Sequence, residues 1–92
     1  MIKTFKSKGL DRFFRTGDYR SIPARSAGRI ERMLDRLDAC KVPEDMNLPG
    51  FGFHGLKGDR AGQYAVTITG NLRITFRFEG EDAIDVNLED YH

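Results

Sequence analysis

The chain has 92 residues, of which 32% are charged, and a formal net charge of only +1 at neutral pH. This length predicts one domain over residues 1–92. No apolar run reaches the roughly 20 residues that span a bilayer, and a single cysteine excludes an internal disulfide. The start lacks the apolar stretch of a secretion signal, and no Cys/His spacing is typical of a metal site. We expect a cytoplasmic protein without membrane contact, metal or cofactor.

Positive charge is concentrated in the first half of the chain. Residues 1–41 contain eleven Lys and Arg against five Asp and Glu, whereas residues 42–92 contain four against nine. This asymmetry favours a surface that meets a polyanion. Basic helices without such a partner would give the same composition.

The N-terminal segment predicts a short strand followed by a helix. Residues 1–6 are typical of a strand, and residues 8–16 of a helix. The helix has one apolar face, formed by Leu10, Phe13 and Phe14. Gly17 is expected to end it, because glycine readily adopts the left-handed conformation that closes helices.

The clearest helix of the sequence spans residues 23–39. Pro23 suits the first position, where a missing N–H costs no hydrogen bond. The buried face is expected to comprise Ala27, Ile30, Met33, Leu34 and Leu37. Arginines fall within about 60° of one another on another face: Arg25, Arg29, Arg32 and Arg36. This row predicts a phosphate-tracking surface, and the alternative is a solvated face with i,i+4 ion pairs.

The second half predicts a meander of short strands after a loop over residues 40–50. The alternating segments are residues 63–69, 72–79 and 83–88, with a further piece near 51–54. The apolar face of such a sheet must be covered. We therefore predict an α+β fold, a small, mainly antiparallel sheet of about four to five strands with two N-terminal helices packed on one face.

The uncovered face of this sheet is expected to be open, polar and positively charged. It would carry Arg73, Thr75 and Arg77 together with the polar side of the last strand. Such a surface suits a nucleic acid better than a small molecule.

Side chains that move protons and bind phosphate occur in two segments near this face. They belong to the loop at residues 54–60 and to the terminal residues Asp90, Tyr91 and His92. Cleavage of RNA requires a base for the 2′-hydroxyl, a cation beside the phosphate and an acid for the leaving oxygen. These segments supply all three kinds of group.

Each candidate is assigned a role from its chemistry. Arg73 is expected to stabilise the transition state, because its planar guanidinium is always charged. His54 and His92 are the natural proton carriers, and Asp90 would orient a histidine or act as a base. Tyr91 would stack on a nucleobase or donate a hydrogen bond. Backbone phosphates are assigned to Lys57, Arg60 and Arg77.

The same residues have structural alternatives. A lone loop histidine such as His54 is most often simply exposed, and an arginine such as Arg73 on a strand is most often a surface cation. Tyr91 would also fit as a packing residue at the sheet edge. Spacing does not decide between these interpretations.

Three segments together resemble a HigB-type toxin of the RelE/ParE superfamily of bacterial toxin–antitoxin systems. They are residues 54–60, 71–78 and 89–92. The opening residues 1–10 and residues 43–50 are also similar to the family, so that the resemblance covers essentially the whole chain. The sequence departs from the family at Gly55, where proline is frequent, and at Leu72, where tryptophan is frequent.

The resemblance implies a fold, an activity and partners. The activity is metal-independent endonucleolytic cleavage of mRNA on the translating ribosome, by attack of the 2′-hydroxyl on the adjacent phosphate. The implied functional residues are His54, Lys57, Arg73, Asp90, Tyr91 and His92. A helix-turn-helix antitoxin would neutralise the toxin, and the basic helical side would face ribosomal RNA.

Two other functions are compatible with the sequence. The first is a ParE-like toxin that inhibits a protein target such as DNA gyrase, for which the terminal triplet would be dispensable. The second is a non-catalytic module that binds RNA or an antitoxin. It would have the fold but would not arrest growth.

Overall fold

Two helices and a four-stranded antiparallel sheet form the part of the chain that the computed structural model describes, residues 1–90. Helices α1 and α2 come first in the chain and are followed by strands β1 to β4, which are adjacent in the sheet in chain order. The bounds are Lys8–Thr16 and Ala27–Ala39 for the helices, and His54–Gly55, Tyr64–Thr69, Leu72–Glu79 and Asp82–Asp90 for the strands. The predicted α+β class is confirmed.

Helix α1 has the predicted bounds, because both of its ends are fixed by local chemistry. The Ser7 hydroxyl accepts a hydrogen bond from the N–H of Leu10 at 3.1 Å, which caps the first turn. At the other end Gly17 adopts a φ of 79° and donates its N–H to the carbonyl of Phe13 at 2.8 Å.

Helix α2 begins one turn later than predicted. Residues Ala24–Ser26 form a 3₁₀ turn, in which the N–H of Ser26 donates to the carbonyl of Pro23 at 2.9 Å. The helix proper starts at Ala27, so Arg25 lies in the preceding turn. The expected apolar face is buried: Ile30, Met33, Leu34 and Leu37 are at most 1% exposed.

The prediction of a regular first strand is wrong. The N-terminal segment pairs with β4 through two isolated parallel bridges, Ile2 with Ala83 and Phe5 with Val86. Between the bridges Asp85 has a φ of 53°, a left-handed conformation that interrupts regular pairing. Its N–H donates to the Thr4 hydroxyl at 2.8 Å, which fastens the segment to β4.

A β-bulge at the same place changes the register between β3 and β4. Near the turn Arg77 pairs with Ile84, whereas beyond the bulge Arg73 pairs with Glu89. If the pairing near the turn continued without this shift, Leu88 would lie opposite Arg73. The bulge therefore determines which residue of β4 faces that guanidinium.

The core lies between the two helices and one face of the sheet. Its fully buried sheet residues include Val66, Ile74, Phe76 and Val86. The predicted loop at 40–50 contains a 3₁₀ turn, Pro43–Met46, whose Met46 is buried in the same core. Among residues 1–90, no helix combines the length and the apolar character needed to cross a membrane.

Candidate active site

The face of the sheet turned away from the helices carries two adjacent rows of side chains. Residues paired directly across antiparallel strands share a face. The first row is His54, Ala65, Thr75 and Asn87, and the second is Thr67, Arg73 and Glu89. Because the core residues alternate with these along each strand, Arg73 lies on the side that the helices do not cover, as the sequence predicted.

The carboxylate of Glu89, near the end of β4, binds three side chains on this face. Its Oε1 accepts from Arg73 Nε at 3.1 Å and from Arg60 Nη1 at 3.0 Å. Its Oε2 accepts from Arg60 Nη2 and from the Thr75 hydroxyl, the latter at 3.2 Å. One carboxylate thus joins an arginine of β3 to an arginine of the loop before β2.

The expected open surface is partly closed at this cluster. Thr75 is only 2% exposed although it faces away from the helices. Arg60 ends a short 3₁₀ turn, Gly58–Arg60, and Gln63 Oε1 accepts from its Nη2 at 2.8 Å. The loop therefore lies against the sheet, and Arg60, expected to bind phosphate, is paired with Glu89.

The arginines keep Glu89 ionised. Hydrogen bonds from Arg60, and then from Arg73 and Thr75, lower the pKa of Glu89 to about 2, against the opposing effect of burial. The same contact raises the pKa of Arg60. Two guanidinium groups and one carboxylate leave the cluster with one net positive charge, which is the sign that attracts a phosphate.

The imidazole of His54 is exposed and oriented by its own loop. Its Nδ1 lies 2.9 Å from the carbonyl oxygen of Gly52. Since a carbonyl only accepts, Nδ1 carries hydrogen, and in the neutral ring Nε2 is the acceptor. His54 pairs with Ala65, which pairs with Thr75. The Cα atoms of His54 and Thr75 are therefore roughly 10 Å apart.

Two further cations were predicted to bind phosphate, Lys57 and Arg77. Lys57 is exposed and precedes the turn at Gly58, which adopts a φ of 67°. Arg77 belongs to β3, two residues beyond Thr75, and its guanidinium lies beside Gly62 of the loop. Arg77 therefore adds positive charge to the uncovered face, since it alternates with the core residues of β3 as Arg73 and Thr75 do.

Asp90 lies on the other side of the sheet from Arg73. It pairs with Leu72 and shares the face of that residue, and its Oδ1 accepts from Asn71 Nδ2 at 3.0 Å. It borders a cleft of about 350 Å³ that is also lined by Pro23, Arg25, Ser26 and Thr69. The expected grouping of Asp90 with Arg73 on one face is therefore wrong. Tyr91 and His92 lie outside the described residues.

The predicted row of four arginines is broken at Arg29. Its Nη2 donates to the carbonyls of Gly50 at 2.6 Å and Thr67 at 2.9 Å, and its guanidinium lies 6.0 Å from the centre of the Phe51 ring. This side chain fastens the loop before β1 to helix α2. Arg25, Arg32 and Arg36 remain exposed.

Comparison with known proteins identifies the family. The sequence model of the HigB-like toxins, described as RelE-like toxins of the type II toxin–antitoxin system HigB, matches residues 3–92. The chain belongs to this family. A curated relative, "Endoribonuclease HigB" from Proteus vulgaris, is 41% identical over 92 residues and covers all of both chains. Membership of a type II system implies an antitoxin as partner.

Solved structures show the same fold at low sequence identity. A "YoeB/ParE toxin" from Agrobacterium tumefaciens superimposes with a TM-score of 0.64 at 17% identity and 100% coverage of both chains. A copper-bound mutant toxin from Helicobacter pylori gives 0.53 at 16% identity, covering 98% of this chain and 94% of that one. The HigB-like chain therefore has the architecture of these toxins.

Glu89 is the site residue that the sequence did not reveal. It stands in the terminal motif, beside the residues to which roles were assigned. The sequence contains one indication. Glu89 lies two residues after Asn87 in a predicted strand, and such residues share a face. Its partner could not be obtained in this way, because the pairing with Arg73 depends on the bulge.

Proposed function

We propose that this HigB-like toxin is an endoribonuclease that cleaves mRNA on the translating ribosome and thereby inhibits translation. The observation that carries the proposal is the position of Arg73, which Glu89 holds on the uncovered face of the sheet. His54 belongs to the adjacent row of side chains on the same face. The 41% identical relative named as an endoribonuclease supports the same reaction.

The chemistry follows from the charges that develop during cleavage. The 2′-oxygen of the ribose bonds to the adjacent phosphorus as the bond to the 5′-oxygen breaks. A base takes the 2′-hydroxyl proton, and an acid protonates the leaving oxygen. The products are a 2′,3′-cyclic phosphate end and a free 5′-hydroxyl. Arg73 would stabilise the negative charge that accumulates on the phosphate in between.

The remaining roles are assigned by chemical type. His54 presents an imidazole whose Nε2 is suited to proton transfer. Lys57 and Arg77 would bind the flanking phosphates, and Arg60 would add its charge beside Arg73. The terminal residues Tyr91 and His92 complete the proposed proton-transfer set, and Asp90 is left out of it because it lies on the other face of the sheet. The cleavage needs no metal ion or cofactor.

The partners follow from the same proposal. The message would lie on the uncovered sheet face, while exposed arginines on the helical side, Arg25, Arg32 and Arg36, would contact ribosomal RNA. The antitoxin would be a helix-turn-helix protein. Both target and toxin would be in the cytoplasm.

Substitution of Arg73 by Ala tests the function directly. We expect a loss of about 10²- to 10³-fold in cleavage rate, since a charge that stabilises the transition state is removed. The readout is growth after expression without antitoxin, together with mapping of the new 5′ ends on cellular messages. Arg20→Ala, in an exposed loop and paired with Asp18, is the control and should behave as the wild type.

Two results would contradict the proposal. One is full toxicity and unchanged cleavage ends with Arg73→Ala. The other is growth arrest by the wild type with a DNA-damage response and without cleavage inside codons, which would favour a target such as gyrase. Purified protein with naked RNA, compared with the same message on ribosomes, tests the ribosome requirement.

A further inference from the structure

One carboxylate controls the position of both arginines at the proposed site. Arg73 directs Nε and Nη2 to the same oxygen of Glu89, each at 3.1 Å. Arg60 approaches through both of its terminal nitrogens, with Nη1 at 3.0 Å from that oxygen. Removal of the carboxylate would leave two cations close together without the negative charge that they share.

The pairing of β3 with β4 holds Arg73 and Glu89 in fixed positions relative to each other. Glu89 and Arg73 are direct partners across β3 and β4, and their side chains are only 20% and 14% exposed. A guanidinium is planar, so fixing its Nε–Nη2 edge also fixes the direction of the Nη1 edge. The Thr75 hydroxyl holds the second oxygen of the carboxylate at 3.2 Å and limits its rotation.

We propose that Glu89 is a positioning residue of the cleavage reaction, which orients Arg73 and keeps Arg60 beside it for contact with one RNA phosphate. This inference rests on the proposed function. Glu89 subtracts charge from the site, so its contribution is to the geometry of the transition state rather than to attraction of RNA. Its loss should therefore lower the maximal cleavage rate and leave binding unchanged or tighter.

Single-turnover cleavage of a message on programmed ribosomes separates these two quantities. The rate is measured against the concentration of toxin, which gives a maximal rate and a half-saturating concentration. For Glu89→Gln we expect the maximal rate to fall about 10- to 100-fold, as for other losses of alignment. The half-saturating concentration should stay the same or decrease, because the neutral amide removes a negative charge.

Matched variants complete the design. Glu79→Gln makes the same chemical change at an exposed position next to the β3–β4 turn and should leave both quantities unchanged. Glu89→Asp keeps the charge on a shorter side chain and should have an intermediate maximal rate. Thermal melting of each variant reports whether it folds, and if Glu89→Gln does not fold, Glu89→Asp decides the question.

The outcomes distinguish this inference from the function on which it rests. Wild-type cleavage by Arg73→Ala would refute the function itself. If Arg73→Ala loses cleavage while folded Glu89→Gln keeps the wild-type maximal rate, the positioning role of Glu89 is refuted and the proposed function is not. A raised half-saturating concentration with an unchanged maximal rate would refute the positioning role too, since Glu89 would then serve binding.

Discussion

The orientation of His54 depends on a single glycine two residues earlier. Gly52 adopts a φ of 60°, and its carbonyl oxygen receives the hydrogen bond from the His54 imidazole. A Cβ at this position would lie 2.9 Å from the Thr67 hydroxyl oxygen. Both the left-handed backbone and the close approach to β2 therefore require glycine.

Gly52→Ala is predicted to be more harmful than Gly50→Ala. Both positions have a positive φ and would each be strained by about 1–2 kcal/mol, but a Cβ at Gly50 has nothing within 4 Å. We expect Gly52→Ala to lose about 1 kcal/mol more stability in urea denaturation, and to cleave more slowly because His54 is displaced. Equal stability and equal cleavage of the two variants would contradict this account.

Among the elements, β4 carries the most unusual local structure. Its bulge allows Ala83 and Val86 to be buried, although they are three residues apart in a strand. These two residues also pair with the N-terminal segment. The left-handed Asp85 between them makes this spacing possible.

Substitution of Asp85 should follow the preference of each side chain for the left-handed conformation. Asp85→Asn is expected to be neutral, whereas Asp85→Val should cost about 1–2 kcal/mol because a β-branched residue clashes there. The hydrogen bond to Thr4 uses the backbone N–H and is available to both variants. Chemical denaturation measures the difference, and equal midpoints would show that the bulge is not strained.

At the scale of the whole molecule, the proposed function gives the two sides of the protein different tasks. The helical side presents exposed arginines such as Arg25 and Arg32, while the opposite side presents the cluster around Glu89. Long-range attraction to an RNA-rich particle depends on total charge, whereas cleavage depends on a few fixed side chains. The two properties should therefore be separable by mutation.

The double variant Arg25→Gln, Arg32→Gln tests this separation. We expect weaker association with ribosomes and a salt dependence flatter by about one unit for each phosphate that the variant no longer binds. The maximal cleavage rate at saturation should not change. Arg20→Gln serves as the control, and a lower maximal rate with unaltered ribosome affinity would contradict the assignment of the helical side.

The sequence predicted those features whose causes are local. The bounds of α1 and of β3 were predicted correctly, because the end of α1 at Gly17 and the alternation along β3 are properties of neighbouring residues. The inward turn of Arg29 and the pairing of Glu89 were missed. Arg29 is turned by its contact with the loop before β1, and the pairing of Glu89 depends on the bulge in β4; periodicity reports neither.

Because of the bulge, deletion of residue 85 should affect the sheet differently from a deletion elsewhere in β4. With Asp85 deleted, β4 would pair regularly with β3, and Glu89 would still stand opposite Arg73; the N-terminal segment would lose its alignment instead. A deletion between the bulge and Glu89 would turn that carboxylate towards the helices. The extra residue thus serves the pairing of the N-terminal segment, and the arrangement of Arg73 and Glu89 on the uncovered face would be intact without it.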